Sequence, residues 1–124
     1  MIKNIYILIP SRIGSTRLKN KPLIDLNGKS IIQRAISNAL SITENAYVAT
    51  DSDIIKSNVE QITNNVIMTS SSHISGTDRI YEAANKLDLN DETLILNLQG
   101  DEPFIPSELV SKVIGDYYLS LIHI

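Results

Sequence analysis

The chain has 124 residues, with 11 lysines and arginines against 14 acidic residues, a formal charge of −3, 43% apolar residues, and neither cysteine nor tryptophan. One domain of this size buries roughly two-thirds of the surface its unfolded chain exposes, so a core needs no crosslink; the lack of cysteine excludes disulfides, iron–sulfur clusters, thiolate zinc sites and a cysteine nucleophile. No apolar stretch approaches the roughly 18 residues of a membrane span, and the run 5–9 is shorter than the roughly 7–15 residues of a signal-peptide core, so a soluble, cytoplasmic protein without membrane partners is expected.

Residues 5–9 predict a strand buried on both faces, because no polar residue interrupts them. The next segment, 11–21, holds Arg12, Arg17, Lys19 and Lys21 and no acid, so it carries +4 on a body of −7. That asymmetry argues against general affinity for nucleic acid and for a local anion site. With Gly14 as its one glycine, the segment matches neither the dinucleotide fingerprint nor the phosphate loop of ATPases. Arg12 and Arg17 offer planar forks for phosphate oxygens, Lys21 a mobile point charge, and Ser15 and Thr16 hydroxyl donors. The alternative is a solvated basic loop.

Asn27-Gly28 predicts a tight turn. Ser30 and Gln33 form a capping box ahead of a helix whose stripe is Ile31, Ile32, Ala35, Ile36, Ala39 and Leu40. A strand over 46–50 follows, then Asp51, which either contacts a sugar hydroxyl or, as the favoured reading, caps a helix over 53–62 with the stripe Ile54, Ile55, Val59 and Ile62. A third strand covers 66–68. His73, in the polar segment after it, has no second ligand at zinc spacing, so it is read as a hydrogen-bonding group. Ser75, Gly76 and Thr77 precede a third helix, where an anion site and plain capping explain them equally well. Arg79 has Asp78, Glu82 or a substrate carboxylate as candidate partners. The third helical stripe is Ile80, Ala83, Ala84 and Leu87.

A fourth strand over 93–98 leads into Gln99-Gly100-Asp101-Glu102-Pro103, and Leu109, Val110, Val113, Ile114 and Tyr117 mark a fourth helix. Asp101, opposite a basic loop, is placed to share magnesium with phosphate oxygens, whereas Glu102 reads as a helix cap. Strands alternating with helices predict an α/β fold with a doubly wound, mostly parallel sheet. Ligands of such sheets bind outside the carboxyl ends of the strands, and the four unusual loops all follow strands.

Together the motifs resemble the CMP-Kdo synthetases, the 3-deoxy-manno-octulosonate (Kdo) cytidylyltransferases. They are Ile-Pro-Ser-Arg at 9–12, Ser-Thr-Arg-Leu at 15–18, Lys-Pro-Leu at 21–23, Asn-Gly-Lys at 27–29, Ala-Thr-Asp at 49–51, Ser-Gly-Thr-Asp-Arg at 75–79 and Asn-Leu-Gln-Gly-Asp-Glu-Pro at 97–103. The resemblance implies a Rossmann-like, GT-A-like nucleotidyltransferase of three α/β/α layers that transfers CMP from CTP to Kdo for lipopolysaccharide biosynthesis. Arg12, Arg17 and Lys21 would hold the triphosphate, Gln99 would lie near the cytidine, Asp101 would bind magnesium, and 73–79 would line the base and sugar-acid region. It also implies a homodimer at full length. CMP-sialate synthetases rank second, because their first loop differs from Ser-Thr-Arg; a non-catalytic nucleotide-binding fragment is the alternative from another class.

Lys19-Asn20 stands where the family commonly has Pro-Gly, and Ser72 where it commonly has Asp. Family members also extend well beyond this length. The expected organisation is therefore the nucleotide-binding part at 1–118, a poorly fitting tail at 119–124, and a missing second half that supplies another metal-binding aspartate, much of the sugar pocket and the dimer interface. Alone, such a piece is expected to be inactive and to bind CTP weakly or not at all, since a sheet cut on one side leaves an apolar edge.

Overall fold

In chain order the elements are β1 (Ile5–Ser11), a 3-10 turn (Lys21–Leu23), β2 (Asp25–Leu26), β3 (Lys29–Ser30), α1 (Ile31–Leu40), β4 (Ala46–Thr50), α2 (Asp53–Val59), β5 (Val66–Met68), α3 (Gly76–Lys86) and β6 (Leu94–Asn97). The computed structural model describes residues 5–13, 21–71, 76–89 and 93–98. The fourth helix expected at 109–117 and the tail at 119–124 lie outside them.

Four strands form a parallel sheet in the order β5-β4-β1-β6. The central place of β1 follows from its sequence, since an unbroken apolar run requires cover on both faces. On one face Ile5, Ile7 and Ile9 join Ala46 and Val48 beneath α1, through Ile32, Ala35, Ile36 and Ala39, and beneath α2, through Ile55 and Val59. On the other, Leu8 and Ala49 pack against Ile80 and Ala83 of α3, flanked by Tyr47, Ile67 and Ile95. The result is the expected three-layer α/β/α arrangement.

β1 runs further than its apolar stretch predicts, through Pro10 to Ser11, because β4 continues to pair with it (Pro10 with Ala49, Ser11 with Thr50). Among the described residues β6 pairs with β1 as far as Leu8 opposite Asn97, short of Pro10. β2 and β3, which the strand expectations did not include, are an antiparallel hairpin. Its loop is Asn27-Gly28, with φ of 56° and 95°, the positive pair a two-residue hairpin requires.

The helix starts follow local chemistry. Ser30 Oγ accepts from the Gln33 N–H at 3.1 Å while Gln33 Oε1 accepts from the Ser30 N–H at 2.9 Å, the capping box read from the sequence. α2 corrects the favoured reading of Asp51: Ser52 is its cap, accepting from the Ile55 N–H at 3.2 Å. α2 also ends at Val59, short of the expected 62. There Gln61 and Ile62 donate to Asn58 and Val59 in tighter i→i−3 bonds, so the chain leaves the α-helix before Ile62.

Candidate functional site

Because the four strands are parallel, Ser11, Thr50, Met68 and Asn97 all end on one edge. The order of the sheet reverses between β1 and β6: from β1 the chain proceeds outward to β4 and β5, then returns across α3 to β6 on the far side. Among the described residues Leu98 makes the last bond between the two, its N–H donating to the Leu8 carbonyl at 3.2 Å, while β1 continues beside β4 to Ser11. A topological switch point of this kind is where open α/β sheets bind ligands.

Arg12 follows β1 directly and is exposed at this edge. Lys21 opens the 3-10 turn, whose shape is held by the Ile24 N–H on the Lys21 carbonyl at 3.1 Å and the Ile31 N–H on the Ile24 carbonyl at 3.0 Å. Ile13 and Leu23 both pack against the α1/α2 core, so both ends of the basic segment are anchored to the same layer. Between these ends, Ser15, Thr16 and Arg17 lie outside the described residues.

Gly76 and Thr77 form the beginning of α3, whose positive dipole end faces the same edge. Arg79 is buried, 2% exposed, and its guanidinium is occupied by protein groups. It lies 3.6 Å from the Asp51 carboxylate, donates to the Thr69 hydroxyl, and reaches the Ser70 carbonyl at 3.3 Å. Asp51 is distant from Arg79 in the sequence, so the pair forms only in the fold. Glu82 and Lys86 extend this network along α3: Glu82 Oε1 accepts from the Ser70 N–H at 3.0 Å, and Lys86 Nζ donates to the Met68 carbonyl at 2.5 Å and pairs with Glu82 at 3.2 Å.

His73, Ser75, Gln99 and Asp101 also lie outside the described residues, although Leu98 and Gly76 fix where their segments meet the sheet edge and α3. Among the described residues no group of three or more His, Asp and Glu is arranged to hold a metal, and no helix is long and apolar enough to cross a membrane. Two polar features escaped the sequence reading. Thr50, fully buried, accepts from the Ser52 N–H at 3.1 Å and shapes the exit of β4. Ser11, its register neighbour, has a buried hydroxyl with no partner among the described residues.

The sequence model of the cytidylyltransferase family matches residues 6–119. The chain belongs to this family. The chain is 46% identical over 108 residues to the 3-deoxy-manno-octulosonate cytidylyltransferase of Hahella chejuensis, covering 86% of this chain and 42% of that protein. It is 47% identical over 115 residues to the 8-amino-3,8-dideoxy-manno-octulosonate cytidylyltransferase of Shewanella baltica, covering 90% and 46%. Its fold superposes on the CMP:2-keto-3-deoxy-manno-octonic acid synthetase solved with CTP at a TM-score of 0.83 and 37% identity, covering 92% of this chain and 47% of that one. A cytidylyltransferase from Leptospira borgpetersenii gives 0.71 and 27%, covering 90% and 48%. The resemblance to CMP-Kdo synthetases is thus borne out, and the chain spans about half the length of the relatives it matches.

Proposed function

We propose that this chain carries the CTP-binding part of an enzyme that transfers CMP from CTP to Kdo, giving CMP-Kdo and pyrophosphate. The observation that carries this reading is the switch point between β1 and β6, flanked by Arg12 and by Leu98, after which Gln99-Gly100-Asp101 follows in sequence, in a fold that superposes on a synthetase solved with CTP. Arg12, Arg17 and Lys21 bind the triphosphate, with Ser15 and Thr16 donating to its oxygens; Gln99 and the segment 73–77 line the cytidine and sugar acid.

The sugar-acid hydroxyl forms a bond to the α-phosphorus as the bond from that phosphorus to the bridging β-phosphate oxygen breaks in line, pyrophosphate leaves, and the hydroxyl proton passes to solvent. Binding holds the two reactants in this alignment, and the basic side chains offset charge on the departing pyrophosphate. No protein nucleophile is required. Asp101 follows Leu98 by three residues in the sequence. It would supply one carboxylate to hold magnesium, an ion that takes oxygen ligands. The chemistry the ion would supply there is offsetting charge on the phosphates.

The whole enzyme acts as a cytoplasmic homodimer in this reading, and the 124 residues alone do not turn over. Pyrophosphate release by the protein expressed from its complete coding sequence, with CTP, magnesium and Kdo, tests the proposal. Release that depends on Kdo is expected. No release, or equal release with a sialic acid, overturns the substrate assignment. The Shewanella relative's name motivates a parallel assay with 8-amino-3,8-dideoxy-manno-octulosonate, and faster turnover with that acid assigns the amino sugar instead.

A further inference from the structure

Three stretches of backbone meet at the carboxyl edge on the α3 side: the exit of β4 at Thr50 and Asp51, the exit of β5 at Thr69 and Ser70, and the first turns of α3. One side chain reaches all three. Arg79 belongs to α3, pairs with Asp51 after β4, and donates to the Thr69 hydroxyl and the Ser70 carbonyl after β5. A guanidinium suits this task because its fork presents five donors in fixed directions, whereas an ammonium presents a single mobile centre. Burial makes the arrangement stringent, since a desolvated charge stripped of its partners is strongly unfavourable.

We infer that Arg79 is a positioning residue that does not touch the nucleotide: with Asp51 and Thr69 it locks the exits of β4 and β5 to α3, and thereby sets where the helix start at Gly76 and Thr77 faces the substrates. This differs from the role the family resemblance implied, in which Arg79 lines the base and sugar-acid region. The geometry favours positioning, because the guanidinium is enclosed and directed at protein oxygens from two other elements. The inference rests on reading the carboxyl edge as the nucleotide site.

The test uses the enzyme expressed from its complete coding sequence, with Arg79→Lys, Arg79→Met, Asp51→Asn and Thr69→Val. Each is read by amide hydrogen exchange without ligand and by KM and kcat for CTP. Faster exchange confined to the β4 exit, the β5 exit and the start of α3 is expected, with β1 and α1 unaffected. KM for CTP should rise fivefold or more in both Arg79→Lys and Asp51→Asn, with Arg79→Lys retaining more function than Arg79→Met. If Arg79→Met does not fold, the Asp51 and Thr69 variants still decide the matter. Exchange raised uniformly across the sheet reduces Arg79 to a general stabiliser and overturns the inference. A KM that changes for the Arg79 variants but not for Asp51→Asn or Thr69→Val shows direct contact and also overturns it. If the unsubstituted enzyme releases no pyrophosphate, the functional reading fails separately, and the exchange pattern still decides whether the clamp exists.

Discussion

The Arg34 guanidinium on α1 donates through Nε to the Leu26 carbonyl at 2.7 Å, while its Nη2 reaches the same oxygen and the Asn27 carbonyl at 3.0 Å. One helical side chain thereby closes the β2–β3 hairpin onto α1 and steadies the segment leading back to Lys21. Arg34→Met removes the charged donor from both carbonyls. Hydrogen bonds to charged groups contribute about 1.5–3 kcal/mol, and partial exposure places this one near the lower end. Urea unfolding should show that loss, with Arg34→Lys recovering part of it. Equal midpoints for all three proteins would remove the hairpin tie as a stabilising contact.

Gly28 isolates a backbone effect. Its φ is 95°, and a Cβ built there meets nothing within 4 Å, so substitution costs conformational energy without a clash. Gly28→Ala is expected to destabilise by about 1–2 kcal/mol, and Gly28→Asn by less, because asparagine enters the left-handed region more readily. Thermal melts of the two variants give the ranking. An unchanged melting temperature for Gly28→Ala would mean the hairpin relaxes to another turn.

Where the determining chemistry is local, it was legible in the residues. Ser30 and Gln33 satisfy each other across a single helical turn, and Asn27-Gly28 carries its own conformational preference, so neither depends on the rest of the fold. The unbroken apolar run of β1 likewise announces cover on both faces. Arg79 with Asp51 was not legible, because the two meet only once β5 has paired with β4 and α3 has crossed the sheet, and strand order is absent from periodicity. The end of α2 was misread because Ile62 keeps the apolar spacing while its backbone tightens into i→i−3 bonds. Of the proposed site, charge and the position of the loops marked Arg12 and Lys21; the buried hydroxyls of Ser11 and Thr50 gave no such signal, since serine and threonine at a strand end usually face water.

Tyr47 and Tyr6 stack on the α3 side of the sheet, with ring centroids 6.2 Å apart and planes within 10°. Burial, and secondarily the neighbouring Tyr6, raises the Tyr47 phenol above its ordinary value of 10.0. Below about pH 10 the phenol is protonated in both folded and unfolded chains and adds no slope. Above that, the unfolded chain releases its proton first, so the folded state holds more protons and stability falls with rising pH until the folded group titrates as well. Urea midpoints measured from pH 8 to 11 should decline above about pH 10, and Tyr47→Phe should make the decline shallower. Identical slopes would assign the alkaline loss to other groups.

Arg12 separates binding from folding. It is exposed and follows a strand held on one side by β4, with Ile13 anchoring the chain just beyond it. Truncating an exposed side chain at such a place should change stability by no more than about 0.5 kcal/mol. Its loss from a triphosphate site is another matter: a charge-assisted hydrogen bond of about 1.5–3 kcal/mol corresponds to roughly a 10- to 150-fold loss of affinity. Arg12→Ala in the complete enzyme should therefore raise KM for CTP by at least about tenfold while leaving the melting temperature nearly unchanged. Arg12→Lys should recover only part of that loss, since an ammonium cannot make the bidentate contact. Raising salt should weaken CTP binding to the parent more than to Arg12→Ala, because only the parent has this screened attraction to lose. A KM equal to the parent's in Arg12→Ala, in a protein shown to be folded, would move the phosphate site away from β1 and reduce Arg12 to a solvated charge on the rim.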